Sequence, residues 1–499
     1  MGTEAVILIV LALLFGFYMA WNIGANDVAN AMGTSVGSGA LTLTGAVILA
    51  AIMEFAGAFI VGPHVSETVR KGIVDLDLLR GMDQGALLLV LGMLSSLLAA
   101  GVWLQFASYY GWPVSTTHSI VGAIVGFGVV VGGVEAVKWA KVGTIAMSWV
   151  VSPALSGVIA FVIFRLLLAG IFYKPNPVLA AKKATPYIVF AVLVAMMLVL
   201  AFKGLQPFWK YPFWDDVFGY KFKSHLDMVP LTISLITAGL IGIIGAFVSY
   251  RLVRNIEEEP GTTKTLENLY IRRSLSKAIM HLRRIRNMTT GEASDNADRV
   301  LQDTQKLIHN THMSTRTSGV SGYHQVERIF IFLQIISAGF VAFAHGANDV
   351  ANAIGPISAI MEVVDTTKEA MFWVVPETQS HVSVWLLLLG GSGIIIGLAT
   401  WGWRVIQTIG KRITELTPSR GFCAEFAAAL TILIASVYSL PISTTHTLVG
   451  AVLGVGLARG VGALNLTTVR DIIISWIITL PAGAGLAILF FYGLKAVFV

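Results

Sequence analysis

A single cysteine, Cys423, stands in 499 residues. That leaves no disulfide framework and no thiolate metal cage. Charge is scarce as well, at 12% of residues, against 56% apolar ones and a mean hydropathy of +0.77. A soluble chain carries about 25% charged residues, so an aqueous globular core is excluded. Alternating apolar and polar strands are missing too. The apolar runs are continuous and of helical length, which rules out a closed β-barrel. No basic stretch precedes the first apolar run at Ala5, so that run is expected to be a mature helix and not a signal peptide. The net charge of +6 is a topology signal and gives no ground for nucleic-acid binding.

What is present is an all-α polytopic membrane protein. Spans of about 20 residues are expected near 5–23, 42–62, 85–108, 114–133, 142–170, 186–203, 228–250, 329–344, 383–403, 422–440, 442–458 and 471–494, about twelve in all. The one long polar stretch, 251–328, holds 13 Lys/Arg against 9 Asp/Glu. Leu275, Ile279 and Leu282, then Ala297, Leu301, Thr304 and Ile308, recur at helical spacing. They predict two amphipathic helices joined near Thr289-Thr-Gly291. Positive charge places this stretch inside, with loop 165–183 and the basic residues Arg404, Lys411, Arg412 and Arg420. Loops 205–227 and 359–382 are mixed or acidic and are expected outside, which puts both termini outside.

Two polar blocks interrupt this apolar background, and each occurs twice. Gly24-Ala-Asn-Asp-Val-Ala-Asn-Ala31 returns unchanged as Gly346–Ala353. Pro113-Val-Ser-Thr-Thr-His118 returns as Pro441-Ile-Ser-Thr-Thr-His446. The spacing is similar in the two halves, 113 − 24 = 89 and 441 − 346 = 95. The first copy enters the membrane from outside and the second from inside. This is an inverted-topology repeat with broken helices near the midplane, an arrangement found in secondary transporters. The chain divides into a first transmembrane repeat, 1–165, linking helices, 166–250, the basic cytoplasmic segment, 251–328, and a second repeat, 329–499.

Each block suggests a chemistry. Asn26, Asp27 and Asn30, with Asn348, Asp349 and Asn352, offer oxygens to a small hard cation. The glycines around them are expected to loosen the helix and expose carbonyls. The Pro blocks are expected to start new helices, with Ser115, Thr116 and Thr117, and Ser443, Thr444 and Thr445, at their N-termini. Free N–H groups and hydroxyls there make an anion cradle without Lys or Arg. The serines can equally be ordinary N-caps. A cation at each aspartate would offset its repulsion of the anion, so each ligand would tighten the other. Glu54 and Glu425 are acids inside apolar runs and are further cation candidates, although Glu425 could instead sit at a wet helix end. His118, His446 and His345 are expected to be packing or structural residues.

The doubled blocks resemble those of the inorganic phosphate transporter (PiT) family, which includes the sodium-phosphate cotransporters of solute carrier family 20. Met53-Glu-Phe-Ala-Gly57 and Val65-Ser-Glu-Thr-Val-Arg-Lys-Gly72 resemble the sodium-coupled branch. The resemblance implies import of inorganic phosphate with sodium across the plasma membrane, with Asp27, Asp349, Glu54, Glu425, Ser115 and Ser443 as the essential positions. It implies no cofactor beyond the sodium ions carried as ligands, and no enzymatic activity. Inorganic phosphate, sodium and the lipid bilayer are the expected partners, with a homo-oligomer left open. A proton-coupled phosphate or sulfate permease of the same fold is the alternative.

Overall fold

The computed structural model describes residues 3–201, 228–256, 292–315, 321–365, 383–403, 416–460 and 466–499, plus the isolated positions 279, 281–282, 286 and 406. Loop 205–227, residues 366–382 and most of the first predicted amphipathic helix lie outside the described residues. Among those described, the chain is helical. The chain forms two compact units, one of Met1–Phe164, Val192–Ile241 and Phe332–Val499, the other of Arg165–Ala191 and Gly242–Ile331.

In the first repeat, α1 (Thr3–Asn26) and α2 (Val28–Gly37) carry the octapeptide. They are followed by α3 (Leu43–Ile60), α4 (Gly62–Lys71), α5 (Leu76–Arg80), α6 (Gly85–Tyr110), α7 (Thr116–Gly132) and α8 (Trp139–Leu167). Then come α9 (Pro177–Val199), α10 (Met228–Arg254) and α11 (Glu292–Thr315). The second repeat runs through α12 (Ser321–Asp365), α13 (Val384–Gly397), α14 (Pro418–Val437), α15 (Thr444–Arg459) and α16 (Leu466–Phe498). By the octapeptides and Pro blocks they carry or adjoin, α1–α2 matches α12, and α6 and α7 match α14 and α15; by chain order, α3 matches α13 and α8 matches α16.

Ten of the described helices are long and apolar enough to cross a membrane. Two of the expected spans are shorter. Helices α7 and α15 have 17 and 16 residues, because each starts only at its Pro block. Two expected boundaries shift. The expected span 329–344 is part of α12, which has 45 residues. At about 1.5 Å per residue it is about 67 Å long, over twice the roughly 30 Å hydrocarbon core. The octapeptide is therefore inside the helix, just past its midpoint. Much of the expected loop 165–183 is also helical, as α8 continues into a π-helical turn at Leu168–Phe172 before α9 begins at Pro177. In the second unit, Ala297, Leu301 and Thr304 of α11 are buried, as their spacing predicts.

The repeats pack by exchange. Helix α1 lies on α13 of the other repeat, and α12 lies on α3. Likewise α7 lies on α16, and α15 on α8. Glycines permit this contact. A Cβ on Gly24 would run into the carbonyl of Ile394, and a Cβ on Gly346 into that of Glu54. Small residues at helix crossings let backbones approach in lipid, where packing is the main attraction.

These contacts carry a prediction. Gly24→Ala and Gly346→Ala face backbone atoms that have no rotamer to yield, so each should destabilise by about 1–3 kcal/mol or more. Gly143→Ala is the control, because nothing lies within 4 Å of its Cβ position. Thermal unfolding in detergent should show lower midpoints for the first two and an unchanged midpoint for the control.

Candidate functional site

A helix that stops inside a membrane frees carbonyls that must find donors. Helix α6 ends at Gly111, whose φ of 68° is left-handed, and the chain then runs extended to Ser115. Its counterpart after α14 turns at Ser439, with φ 57°, where a side chain is held in a conformation that favours glycine. Ser115 and Ser443 cap the new helices, accepting from the His118 and His446 backbone N–H groups at 3.2 Å each. The N-cap reading of these two serines is thus seen directly.

The octapeptides satisfy the freed carbonyls. Asn26 Nδ2 donates to Ser108 Oγ at 2.8 Å and to the Trp112 carbonyl at 3.3 Å. Asn348 Nδ2 repeats this with Ser436 Oγ and the Leu440 carbonyl, both at 3.1 Å. The threonines cross between repeats. Thr117 Oγ1 donates to the Ile442 carbonyl at 2.9 Å, and Thr445 Oγ1 reaches the Val114 carbonyl at 3.4 Å.

The same hydroxyls reach the two aspartates. Thr445 Oγ1 donates to Asp27 Oδ1 at 2.9 Å. Thr444 Oγ1 donates to Asp349 Oδ2 at 2.9 Å, and Thr116 Oγ1 to the same atom at 3.4 Å. Asn352 Nδ2 donates to the Thr116 and Thr117 hydroxyls at 3.2 Å each. The expected unwinding of the octapeptides is confined. Only Asp27 leaves the helix in the first copy, its N–H still bonded to Ile23 O at 2.9 Å, and the second copy is unbroken helix. Side-chain oxygens, not carbonyls of unwound backbone, therefore make up the polar centre. Asn26 Oδ1, Asn348 Oδ1, Asn352 Oδ1 and Asp349 Oδ1 are buried without a hydrogen-bond donor among the described residues. The side chain of Asn30 lies outside the described residues.

His345 belongs to this centre, contrary to its expected structural role. Its Nε2 lies 3.0 Å from Asp349 Oδ2 and its Nδ1 3.2 Å from Glu54 Oε1, all three side chains being at most 2% exposed. One ligand atom each from Asp27, His345 and Asp349 falls within 4.8 Å of the others, a grouping able to hold a metal ion. The signal available in the sequence was the repeat itself. The first-copy counterpart of His345 is Ile23, and Gly24 meets Ile394 where Gly346 meets Glu54. The ionisable residues His345 and Glu54 thus stand where Ile23 and Ile394 stand in the other half.

Glu425 forms a second polar cluster and is fully buried, so it is no wet helix end. Its Oε1 accepts from Thr34 Oγ1 and Ser35 Oγ at 2.6 Å each and from Gln334 Nε2 at 3.0 Å. Its Oε2 accepts from Ser337 Oγ at 2.6 Å. His118 and His446 pack as rings. Their centroids are 4.4 Å apart, with Trp149 at 3.9 Å on one and Trp476 at 3.4 Å on the other.

Known proteins share this architecture. A family model described as the phosphate transporter family matches residues 23–487. The chain is 44% identical to inorganic phosphate transporter 2-1, chloroplastic, of Arabidopsis thaliana, over 96% of this chain and 70% of that protein. It is 42% identical to a phosphate permease, by name, of Chlamydia pneumoniae, over 98% of this chain and 99% of the other. A solved structure of the sodium-dependent phosphate transporter is 34% identical, with a TM-score of 0.72, covering 98% of this chain and 99% of that one. With buried hydroxyl triplets and aspartates duplicated across an inverted repeat, this membrane chain belongs to the phosphate transporter family.

Proposed function

We propose that the protein imports inorganic phosphate by symport with sodium. The observation that carries this reading is the contact of Thr444 and Thr445 with Asp349 and Asp27. Hydroxyls at two helix N-termini are anion donors, yet here they lie against buried carboxylates. An anion on those hydroxyls would meet Asp27, Asp349 and Glu54, three acids with one imidazole among them. Uncompensated charge in a dry site is costly, so the anion requires cations. Oxygens of Asn26, Asp27, Asn348, Asp349 and Asn352 suit sodium, with Asn30 the remaining oxygen of the set, and Glu54 stands behind His345. Glu425 and its four donors offer a separate cation position. Ser115, Thr116 and Thr117, with Ser443, Thr444 and Thr445, bind the phosphate. No cofactor and no catalytic step enter this reading, and whether copies associate as a homo-oligomer does not bear on it. A second reading, proton-coupled uptake, is favoured by His345 between Glu54 and Asp349. Phosphate accumulation in proteoliposomes decides between the two. Accumulation driven by a pH gradient in sodium-free buffer sinks the sodium reading.

Coupling of this kind is reciprocal. Sodium should tighten phosphate binding by roughly 5- to 150-fold, about 1–3 kcal/mol of coupling, and phosphate should tighten sodium by the same factor. Asp27→Asn and Asp349→Asn should each flatten the phosphate affinity measured across a sodium titration. Full sodium dependence in both variants would make the aspartates structural.

Threonines give a cleaner test of the cradle than serines. Ser115→Ala and Ser443→Ala also remove an N-cap, a change worth about 1 kcal/mol by itself. Thr116→Val and Thr444→Val remove a hydroxyl and keep the shape. A hydrogen bond to a charged group contributes roughly 1.5–3 kcal/mol, so phosphate affinity should fall about tenfold or more. Calorimetry that finds both valine variants at the unaltered affinity would place the anion elsewhere.

Topology follows from charge. Both termini lie outside the plasma membrane and 251–328 lies inside. Asp303 is a suitable reporter, its side chain 73% exposed on α11. Asp303→Cys, with Cys423→Ser, should react with an impermeant thiol reagent only in opened cells. Labelling in intact cells would invert the orientation.

A further inference from the structure

Glu362 stands thirteen residues beyond Asp349 on α12 (362 − 349) and takes no part in the site described above. Its carboxylate is shared by three cations. Arg70 Nη1 lies 3.0 Å from Oε2, Lys71 Nζ 3.1 Å from Oε1 and Arg80 Nη2 3.5 Å from Oε1. Arg70 Nη2 also holds Glu67 at 2.6 Å. The three basic residues belong to α4 and α5 of the first repeat, and Glu362 to the second. Every one of its ion pairs therefore bridges the repeats.

Three features set this cluster apart from ordinary scaffold. First, it is one-sided. The octapeptides are offset by 346 − 24 = 322 residues, which makes Ala40 the counterpart of Glu362. The matching end of α2 is fastened by neutral donors, with Ser38 Oγ donating to Gln334 Oε1 at 2.7 Å and Thr34 and Ser35 donating to Glu425. Second, Arg70 is 1% exposed, yet its Nε and that of Arg80 have no hydrogen-bond partner among the described residues. A network satisfied only in part is poorly suited to pure stabilisation. Third, α4 covers a Pro block. Thr68 Oγ1 donates to the Ser439 carbonyl at 2.7 Å, in the turn leading to Pro441. Val69 and the Arg70 backbone press on Gly355 of α12. Separating α4 from α12 would uncover the turn at 439–443.

We propose that the Glu362 cluster is an electrostatic latch between the repeats. It holds the Asp365 end of α12 against α4 and α5, and it parts when that end opens to water. Each of its three bridges can be released singly, and α12 joins the latch to Asp349 through a continuous helix. The proposal concerns access and not the identity of the cargo, so it can be tested whether or not sodium drives uptake.

The test is thiol reactivity at position 66. Ser66 is fully buried on α4, and its hydroxyl donates to Gly62 O of the same helix, so Ser66→Cys is a mild change. In the full-length protein carrying Cys423→Ser, Glu362→Gln should raise the reaction rate of the introduced thiol with a charged thiosulfonate about tenfold or more. Glu362→Asp, which keeps the charge, should stay near the parent rate. Added salt should speed the parent, whose latch it screens, and leave Glu362→Gln unchanged. Equal rates in the parent and Glu362→Gln, or equal acceleration by Gln and Asp, would reduce the cluster to structural packing. If Glu362→Gln does not fold, Lys71→Gln and Arg80→Gln each remove one partly exposed arm. Each should then speed labelling several-fold, and no change in either overturns the latch.

Discussion

The carbonyls freed where α6 and α14 end inside the membrane govern the rest of this structure. Lipid offers them no donor, and an unsatisfied group there costs several kcal/mol. The chain meets that demand with Asn26, Asn348, Thr117 and Thr445. Donating inward fixes those side chains, and it leaves the Asn26 and Asn348 Oδ1 atoms buried beside the repaired breaks. The polar centre is thus a consequence of repairing two broken helices, made twice because the unit is duplicated. Exchange packing follows as well. The donors for one Pro block come partly from the other repeat, so the repeats must interlock, and the glycines at Gly24 and Gly346 let them do so.

Duplication would by itself give two equal halves, and the protein departs from equality in three places. His345 and Glu54 stand where Ile23 and Ile394 stand in the other half. Glu425 sits in a cage of four donors, and Glu362 faces three cations where Ala40 is its counterpart. An ideal two-fold site has no preferred side. Charged residues placed in one half only give Asp349 different surroundings from those of Asp27. The equivalence of the two aspartates suggested by identical octapeptides therefore does not extend to their surroundings.

Much of the fold was legible in the sequence because lipid imposes its constraints locally. Run length, apolar continuity and repeated blocks need no knowledge of tertiary contacts, and they yielded the all-helical inverted repeat. Helix ends were harder. The 45-residue α12 passes through an octapeptide whose glycines suggested loosening, because Asn348 is satisfied by α14 and nothing forces the backbone open. In the site, the hydroxyls of Thr116, Thr444 and Thr445 were named, but their nearness to Asp27 and Asp349 was not. It depends on contacts across 233, 95 and 418 residues. His345 was missed for the same reason. One histidine beside a repeat looks structural until the fold brings Glu54 to its other nitrogen.

A membrane transporter must bind its cargo away from water and still release it. The placement of donors and acids here bears on how that is reconciled. Hydroxyls of Thr444 and Thr445 donate to Asp349 and Asp27, so these buried donors are met. In the proposed symport an arriving anion would compete with those carboxylates, and a cation on them would lower their hold on the hydroxyls. In that reading cation and anion would be linked through shared hydrogen bonds as well as through charge, over about the 3 Å of one hydrogen bond.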